Sequence, residues 1–280
     1  MLSWQVGDVR ITQIVELTTA SLGPYLLPQA TPEALDAIDW LEPFIDAQNR
    51  IVLSIHTLVV ETPDRCIVVD TCIGNDKVRT YPRWNRMQSR FLDDFVARGF
   101  ALEQVDTVLC THMHVDHVGW NTRLVAGKWQ PTFGKARYLF GETEWRHWQH
   151  EPQEFGPAIE DSVQPIFDAG LATLVDEQHK VCHEVQLEPT PGHTPGHVSV
   201  HITSRGEEAV ITGDMIHHPC QIAHPGWSSS ADFDQFKSAA TRTRFLERYA
   251  DRPVLIIGTH FAAPTAGHIV RDGDVFRLDY

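Results

Sequence analysis

The run Thr111-His112-Met113-His114-Val115-Asp116-His117 sets three imidazoles and a carboxylate within six residues. Imidazole is the commonest metal ligand and suits zinc and its neighbours. A carboxylate among imidazoles suits a hydrolytic site better than a sealed structural one. In extended backbone alternate side chains share a face, so His112, His114 and Asp116 can point the same way from one strand end. His117 joins them only where the chain turns, and Gly119 permits a turn. Three further segments repeat the pattern. Thr190-Pro191-Gly192-His193-Thr194-Pro195-Gly196-His197 is a tight loop stiffened by two Pro-Gly steps. Ile211-Thr212-Gly213-Asp214 is an apolar run ending in a carboxylate, and Ile256-Ile257-Gly258-Thr259-His260 is one ending in an imidazole. Four strand ends that each deliver His or Asp describe a metal site rather than a histidine-rich surface loop.

The elements that must carry these ends follow from hydrophobic patterning. Residues 4–17, 51–60 and 66–70 read as strands, the last ending in Val68-Val69-Asp70. Residues 85–98 have helical spacing, with Gly99 where the helix would stop. Val105 to Cys110 is a short, nearly continuous apolar strand, as in a sheet covered on both faces. Helices are expected at 142–150 and 157–168, and strands near 171–175, 184–188, 197–203 and 208–212. A helix over about 233–250 would turn Phe233, Phe236, Ala240, Phe245, Leu246 and Tyr249 inward. Val254 to Ile257 and one or two strands within 268–278 complete the chain. Strands in runs separated by helices suggest an α+β protein with two sheets sandwiched between helices. No linker or repeat breaks it, so residues 1–280 read as one domain. The Pro-punctuated segment 19–50, with Tyr25, Leu26, Leu27, Trp40, Leu41, Phe44 and Ile45, is too apolar for a solvated loop; it reads as a covering or dimerising segment.

The motifs HMHVDH at 112–117, PGHTPGH at 191–197, TGD at 212–214 and GTH at 258–260 resemble, in order and spacing, those of the metallo-β-lactamase superfamily. Asp70 in VVDT resembles that family's early aspartate. The resemblance spans roughly residues 50–262. It implies an αββα sandwich of two mixed sheets flanked by helices, with a two-metal site between the sheets. Carried over residue by residue, it gives His112, His114 and His193 to one metal, Asp116, His117 and His260 to the other, and Asp214 to both. It implies divalent ions, with zinc foremost.

A two-metal site lowers the pKa of a bridging water from ~15.7 toward ~7 and polarises a carbonyl or phosphoryl oxygen, so the reaction class is hydrolysis. Asp116 is the expected proton shuttle. His197, beside His193, is expected to hydrogen-bond rather than coordinate. His217 or His218 can line the substrate pocket, whereas His147, His150, His179, His183 and His268 read as solvated or capping groups. Trp120, Phe44, Met215 and Trp227 suit either a pocket wall or the core. Among the branches of the family, the chain looks most like the N-acyl-homoserine lactonases and small-ester hydrolases. Phosphotriester and glyoxalase II-like thioester hydrolysis are the alternatives, and a metal-binding module without turnover is the non-enzyme one. In the homoserine-lactonase branch a tyrosine lies three positions after the bridging aspartate; here that position is His217, whose imidazole can also donate to a developing oxyanion.

Composition limits the partners. With 23 basic and 37 acidic residues the net charge is −14, which argues against nucleic acid. No apolar run approaches the ~18 residues needed to span a bilayer, and MLSWQVGDVR lacks the pattern of a secretory signal. Five scattered cysteines form no disulfide framework, which suits the cytoplasm. The expected partner is a small ester or lactone, with a homodimer as the expected assembly.

Overall fold

The apolar runs form the strands of two mixed sheets in a computed structural model that describes residues 2–280. Two compact units emerge: Ser3–Leu17 with Ile55–His179, and Thr18–Ser54 with Lys180–Tyr280.

The first unit holds β1 (Ser3–Val6), all but the last two residues of β2 (Val9–Thr19), all but the first two of β3 (Leu53–Glu61), and β4 (Cys66–Val69), β5 (Thr107–Leu109), β6 (Thr122–Val125), β7 (Lys128–Pro131), β8 (Arg137–Gly141) and β9 (Ala172–Val175). Seven of them run in the order β1-β2-β3-β4-β5-β8-β9, while β6 and β7 pair separately. β3 lies antiparallel to β4, and β4, β5, β8 and β9 run parallel. Leu53 to Val60 and all of β5 are buried, as unbroken apolar runs require. The β6–β7 hairpin is mostly exposed and shows no apolar pattern; it turns through Ala126 and Gly127, both at positive φ. The helix expected at 85–98 forms only over Phe91–Ala97. Its first residues are held as a loop by Ser89, which bonds Asn75 and Glu16. Glu16 also accepts from the indole of Trp120 at 2.6 Å, and that ring stacks on Phe91, so Trp120 is core.

The second unit holds β10 (Val185–Pro189), β11 (Val198–Ser204), β12 (Glu207–Ile211), β13 (Val254–Ile257), β14 (Ala266–Asp272) and β15 (Val275–Asp279), paired in chain order. All pairs are antiparallel except β12 with β13. The helix Gln235–Tyr249 starts at Asp234, whose carboxylate accepts the Lys237 amide. Its inner face is Ser238, Thr241, Arg242, Phe245, Leu246 and Tyr249. Phe233 and Phe236, expected inside, are 64% and 92% exposed. Phe236 lies about 200° around the helix from Ser238, so both cannot face the core.

Segment 19–50 covers its own unit. Leu27, Leu35, Ile38, Leu41, Phe44 and Ile51 join Val210, Met215, Phe245, Leu246, Ile256 and Phe261 in one core cluster. The apolar residues behind the dimer expectation are therefore largely spent inside this unit, although Tyr25 remains 45% exposed. Phe44 and Met215 are core, and Trp227 packs half-buried against them.

Lys77 is fully buried in the first unit. Its ammonium donates to the Thr122 hydroxyl and the Asp161 carbonyl, and lies 3.6 Å from the centre of the Trp129 ring. Asp161 is also gripped by Arg79 through two hydrogen bonds. Burial brings the Lys77 amine down to about 7, against the pull of Asp161. The unfolded chain binds this proton up to ~10.4. Between those values the unfolded state therefore holds more protons, and the Lys77 contribution to stability rises with pH. We expect wild type to gain on the order of a few kcal/mol relative to Lys77→Met from pH 7 to 10 in denaturant titrations; parallel pH profiles would show that Lys77 titrates normally.

Candidate metal centre

Of the seven residues implicated by sequence, His112, His114, Asp116 and His117 belong to the first unit, and His193, Asp214 and His260 to the second.

In the first unit β5 ends at Leu109, the chain bends at Thr111 and His112, and His114, with extended backbone, precedes a one-turn helix over Val115–Val118. The turn thus falls before Asp116, not after it as extended spacing suggested. The Asp70 carboxylate, one residue past β4, accepts the Thr111 amide and hydroxyl at 2.7 and 2.9 Å. It also stands 2.9 Å from His117 Nδ1. Because the Thr111 hydroxyl gives its hydrogen to Asp70, it accepts from His112 Nδ1, 3.1 Å away. In the neutral rings of His112 and His117 this leaves Nε2 as a lone pair. His112 Nε2 lies 3.1 Å from His114 Nδ1, and His117 Nε2 lies 3.8 Å from Asp116 Oδ1. Gly119 closes the turn because a Cβ there would stand 1.9 Å from the Ile73 carbonyl oxygen.

In the second unit the strand register sets the geometry. Ile211 of β12 pairs with Ile257 of β13, and Asp214 and His260 each lie three residues beyond their partner. The two side chains meet with Asp214 Oδ1 3.2 Å from His260 Nε2. Asp214 Oδ2 lies 3.5 Å from His193 Nε2 and 3.3 Å from His217 Nε2. Three imidazoles thus surround one buried carboxylate. His193 gives its Nδ1 proton to Asp232 at 2.9 Å, and His260 gives its own to the Ser54 carbonyl at 3.1 Å. Burial alone would raise the Asp232 pKa, but the hydrogen bond and charge of His193 hold it below the usual value. In their neutral forms His193 and His260 therefore turn Nε2 lone pairs toward Asp214.

His197 behaves as expected. Its Nε2 accepts the Asp214 amide at 2.8 Å and its Nδ1 bonds Thr190, so both nitrogens are occupied. Gly213 allows that approach, since a Cβ there would sit 2.5 Å from His197 Nε2. His217 and His218 separate sharply. His218 bonds the Phe44 carbonyl and the Cys220 amide, and burial lowers its pKa to about 4. It is a neutral core group. His217 stands with its ring centre 4.8 Å from that of His193, and its Nδ1 has no hydrogen-bond partner among the described residues. Burial lowers its pKa, partly offset by Asp214.

Asp232 and Arg242 escaped the sequence reading. Asp232 lies in Ser228-Ser229-Ser230-Ala231-Asp232, which carries no ligand spacing. Arg242 sits where a helix periodicity expects an apolar residue. Its buried guanidinium donates to the Met215, Pro225 and Trp227 carbonyls at 2.6, 3.0 and 2.7 Å. It therefore ties the turn after Asp214 to the loop leading to Asp232.

A divalent cation fits both sets. Carboxylate oxygens and unprotonated imidazole nitrogens are all acceptors, and acceptors that face one another require a cation or a proton between them. Nitrogen and oxygen donors of this kind suit zinc, cobalt, iron or manganese.

The family model of the metallo-beta-lactamase superfamily matches residues 50–260. Among solved structures, AidC, a dizinc quorum-quenching lactonase in complex with a product N-hexanoyl-L-homoserine, is 20% identical with a TM-score of 0.80, covering 99% of this chain and 96% of its own. The hydrolase AbOPH of the beta-lactamase superfamily is 23% identical with a TM-score of 0.80, over 99% and 96% of the two chains. A probable metal-dependent hydrolase from Staphylococcus aureus is 19% identical with a TM-score of 0.74, over 98% of each. No curated protein matches the chain. The chain belongs to the metallo-β-lactamase superfamily and has its α+β fold of mixed sheets with flanking helices. No described helix is long and apolar enough to cross a membrane.

The Asp232–His193 bond sets the tautomer and orientation of a histidine that could hold a metal. Removing such a partner weakens metal binding by roughly 10–100-fold. Asp232→Ala should therefore surrender metal to a chelator at 10–100-fold lower chelator concentration than wild type; matched competition curves would remove Asp232 from the centre.

Proposed function

We propose that the protein is a dinuclear metal-dependent hydrolase that opens a lactone or cleaves a small ester, with zinc as its metal. The convergence of His193 and His260, whose Nδ1 protons are committed elsewhere, on buried Asp214 carries this reading, because facing acceptors call for a cation or a proton between them. The family supplies its context, and a lactonase stands among the structures of like fold. In this reading His112, His114 and His193 hold one metal, Asp116, His117 and His260 hold the other, and Asp214 serves both. Five free cysteines fit a reducing cytoplasm.

The ions, when bound, supply Lewis acidity for activating water and polarising the substrate carbonyl. The chain's own residues supply orientation and proton movement. Asp70, Asp232 and the Ser54 carbonyl keep the Nδ1 protons of His117, His193 and His260 in place. Asp116, with its side chain 15% exposed, takes a proton and passes it to the leaving oxygen. His217, kept neutral by burial, offers one N–H to the oxyanion that develops as the carbonyl carbon becomes tetrahedral.

Native mass spectrometry should find two divalent ions per chain, and a panel of lactones, aryl esters, thioesters and phosphotriesters should show best turnover on lactones or esters, lost in strong chelator. Metal-free protein with turnover that survives chelator would sink the hydrolase reading. Binding without turnover of any panel member would leave a metal-binding module, and a phosphotriester or thioester as best substrate would move the chain to that branch.

The two proton roles separate by mutation. Asp116→Asn should lower turnover more than tenfold while at least one metal stays bound, because an amide keeps an oxygen but carries no proton. His217→Ala should lower turnover about tenfold or more, the scale of one lost oxyanion donor. Full turnover in either variant would take that residue out of the mechanism.

A further inference from the structure

Just past β4, Asp70, Cys72 and Gly74 stand at φ 55°, 51° and 82°. Left-handed residues this close together, two of them not glycine, persist only where their surroundings hold them. The chain around the short helix Val115–Val118 supplies part of that hold. The Thr71 amide and hydroxyl donate to His117 O at 2.7 and 3.2 Å, and the Trp120 amide donates to Thr71 O at 2.8 Å. A Cβ on Gly74 would stand 2.8 Å from the Gly119 carbonyl carbon. With backbone on backbone, neither stretch moves without the other.

Glu16 of β2 binds both stretches. Its Oε2 accepts the Ile73 amide at 2.8 Å. Its Oε1 accepts the Trp120 indole at 2.6 Å and the Ser89 hydroxyl at 2.9 Å. No cation pairs with this carboxylate among the described residues. Burial pushes its pKa above the ordinary carboxylate value, and these neutral donors pull it back. The Ile73 and Trp120 N–H groups can only donate, so the position demands an acceptor on each side. A side-chain amide would set N–H against N–H in either orientation. The proton and orientation steps above make no use of this charge.

We propose that Glu16 is a positioning residue for His117: its carboxylate clamps segment 70–74 to the chain beyond the Val115–Val118 helix. The clamp thereby fixes the two bonds through which that segment holds the histidine, Asp70 to Nδ1 and Thr71 to the carbonyl oxygen. That His117 serves a metal rests on the hydrolase reading above; that Glu16 orients it does not.

The test follows the Nδ1 protons of His117 and His193 by 1H–15N NMR in the full chain supplied with zinc. Buried carboxylates hold both, Asp70 in the first unit and Asp232 in the second, so His193 reports any general loosening. Glu16→Gln keeps the shape and misplaces one acceptor. Trp120→Phe keeps an aromatic ring and removes one donor. In both variants the His117 proton should exchange with water roughly tenfold faster than in wild type, with His193 unchanged. One of two bound ions should then be surrendered at roughly tenfold lower chelator concentration, the scale of a disturbed ligand partner, and the other at the wild-type concentration. Unchanged exchange at His117, or equal acceleration at both histidines, would make Glu16 a general stabiliser and overturn the proposal. Should Glu16→Gln fail to fold, Trp120→Phe decides by the same criteria. Faster exchange at His117 alone with matched chelator curves would take His117 out of the ligand set and leave the clamp. If wild type binds no ion and cleaves nothing, yet only His117 accelerates, the hydrolase reading fails and the clamp stands. If wild type cleaves its substrates and His117 does not accelerate, the clamp fails and the hydrolase reading stands.

Discussion

Three histidines commit their Nδ1 protons to fixed acceptors: His117 to Asp70, His193 to Asp232 and His260 to the Ser54 carbonyl. A neutral imidazole has one proton, so this commitment decides which way its lone pair faces. Around Asp214 the lone pairs of His193 and His260 and the carboxylate oxygens repel one another unless a cation or a proton joins them. Burying carboxylates is costly, by several kcal/mol for an unpaired ion. Asp70 offsets that cost with three hydrogen bonds at its strand end, and Asp232 with His193 and the Ser229 amide.

Strand register converts that chemistry into position. Parallel neighbours β12 and β13 end in step, so two short connections of equal length bring Asp214 and His260 together. On the first sheet β4 and β5 are also parallel neighbours, with Val69 opposite Leu109, and Asp70 reaches across to Thr111 just beyond that pair. Backbone bonds then brace the turn, with the Thr71 amide on His117 O and the Gly119 amide on Cys72 O. Neither arrangement tolerates a slip of one residue, which would swing each of these side chains to the opposite face.

The candidate ligands were legible because most of them follow an apolar run, which is what a buried strand looks like in sequence, and His193 because two Pro-Gly steps stiffen its loop. What surrounds them was less so. Asp232 and Arg242 act through contacts with chain far away in sequence, and no local spacing announces such partners. The phase of the helix Gln235–Tyr249 was misread because its inner face includes Ser238, Thr241 and Arg242, polar groups satisfied by hydrogen bonds, while Phe233 and Phe236 lie outside. The exposed β6–β7 hairpin lacked a pattern to read. Segment 19–50 announced its apolar content but not its destination; the core it joins is assembled from β12, β13 and the helix.

The guanidinium of Arg242 binds three carbonyls from two loops, and that has a thermodynamic consequence for metal uptake. Ordering one residue of backbone costs ~1–2 kcal/mol, and small zinc domains draw that cost from the binding energy of the ion, so they unfold without it. Here the loops after Asp214 and before Asp232 are ordered by a charge the chain carries itself, and Asp232 orients His193 through a hydrogen bond between the chain's own side chains. The second unit's candidate ligands are therefore held in place by the chain's own bonds. Ion affinity goes into holding the ion rather than into folding the chain, and an ion can leave and return without melting the loops that receive it.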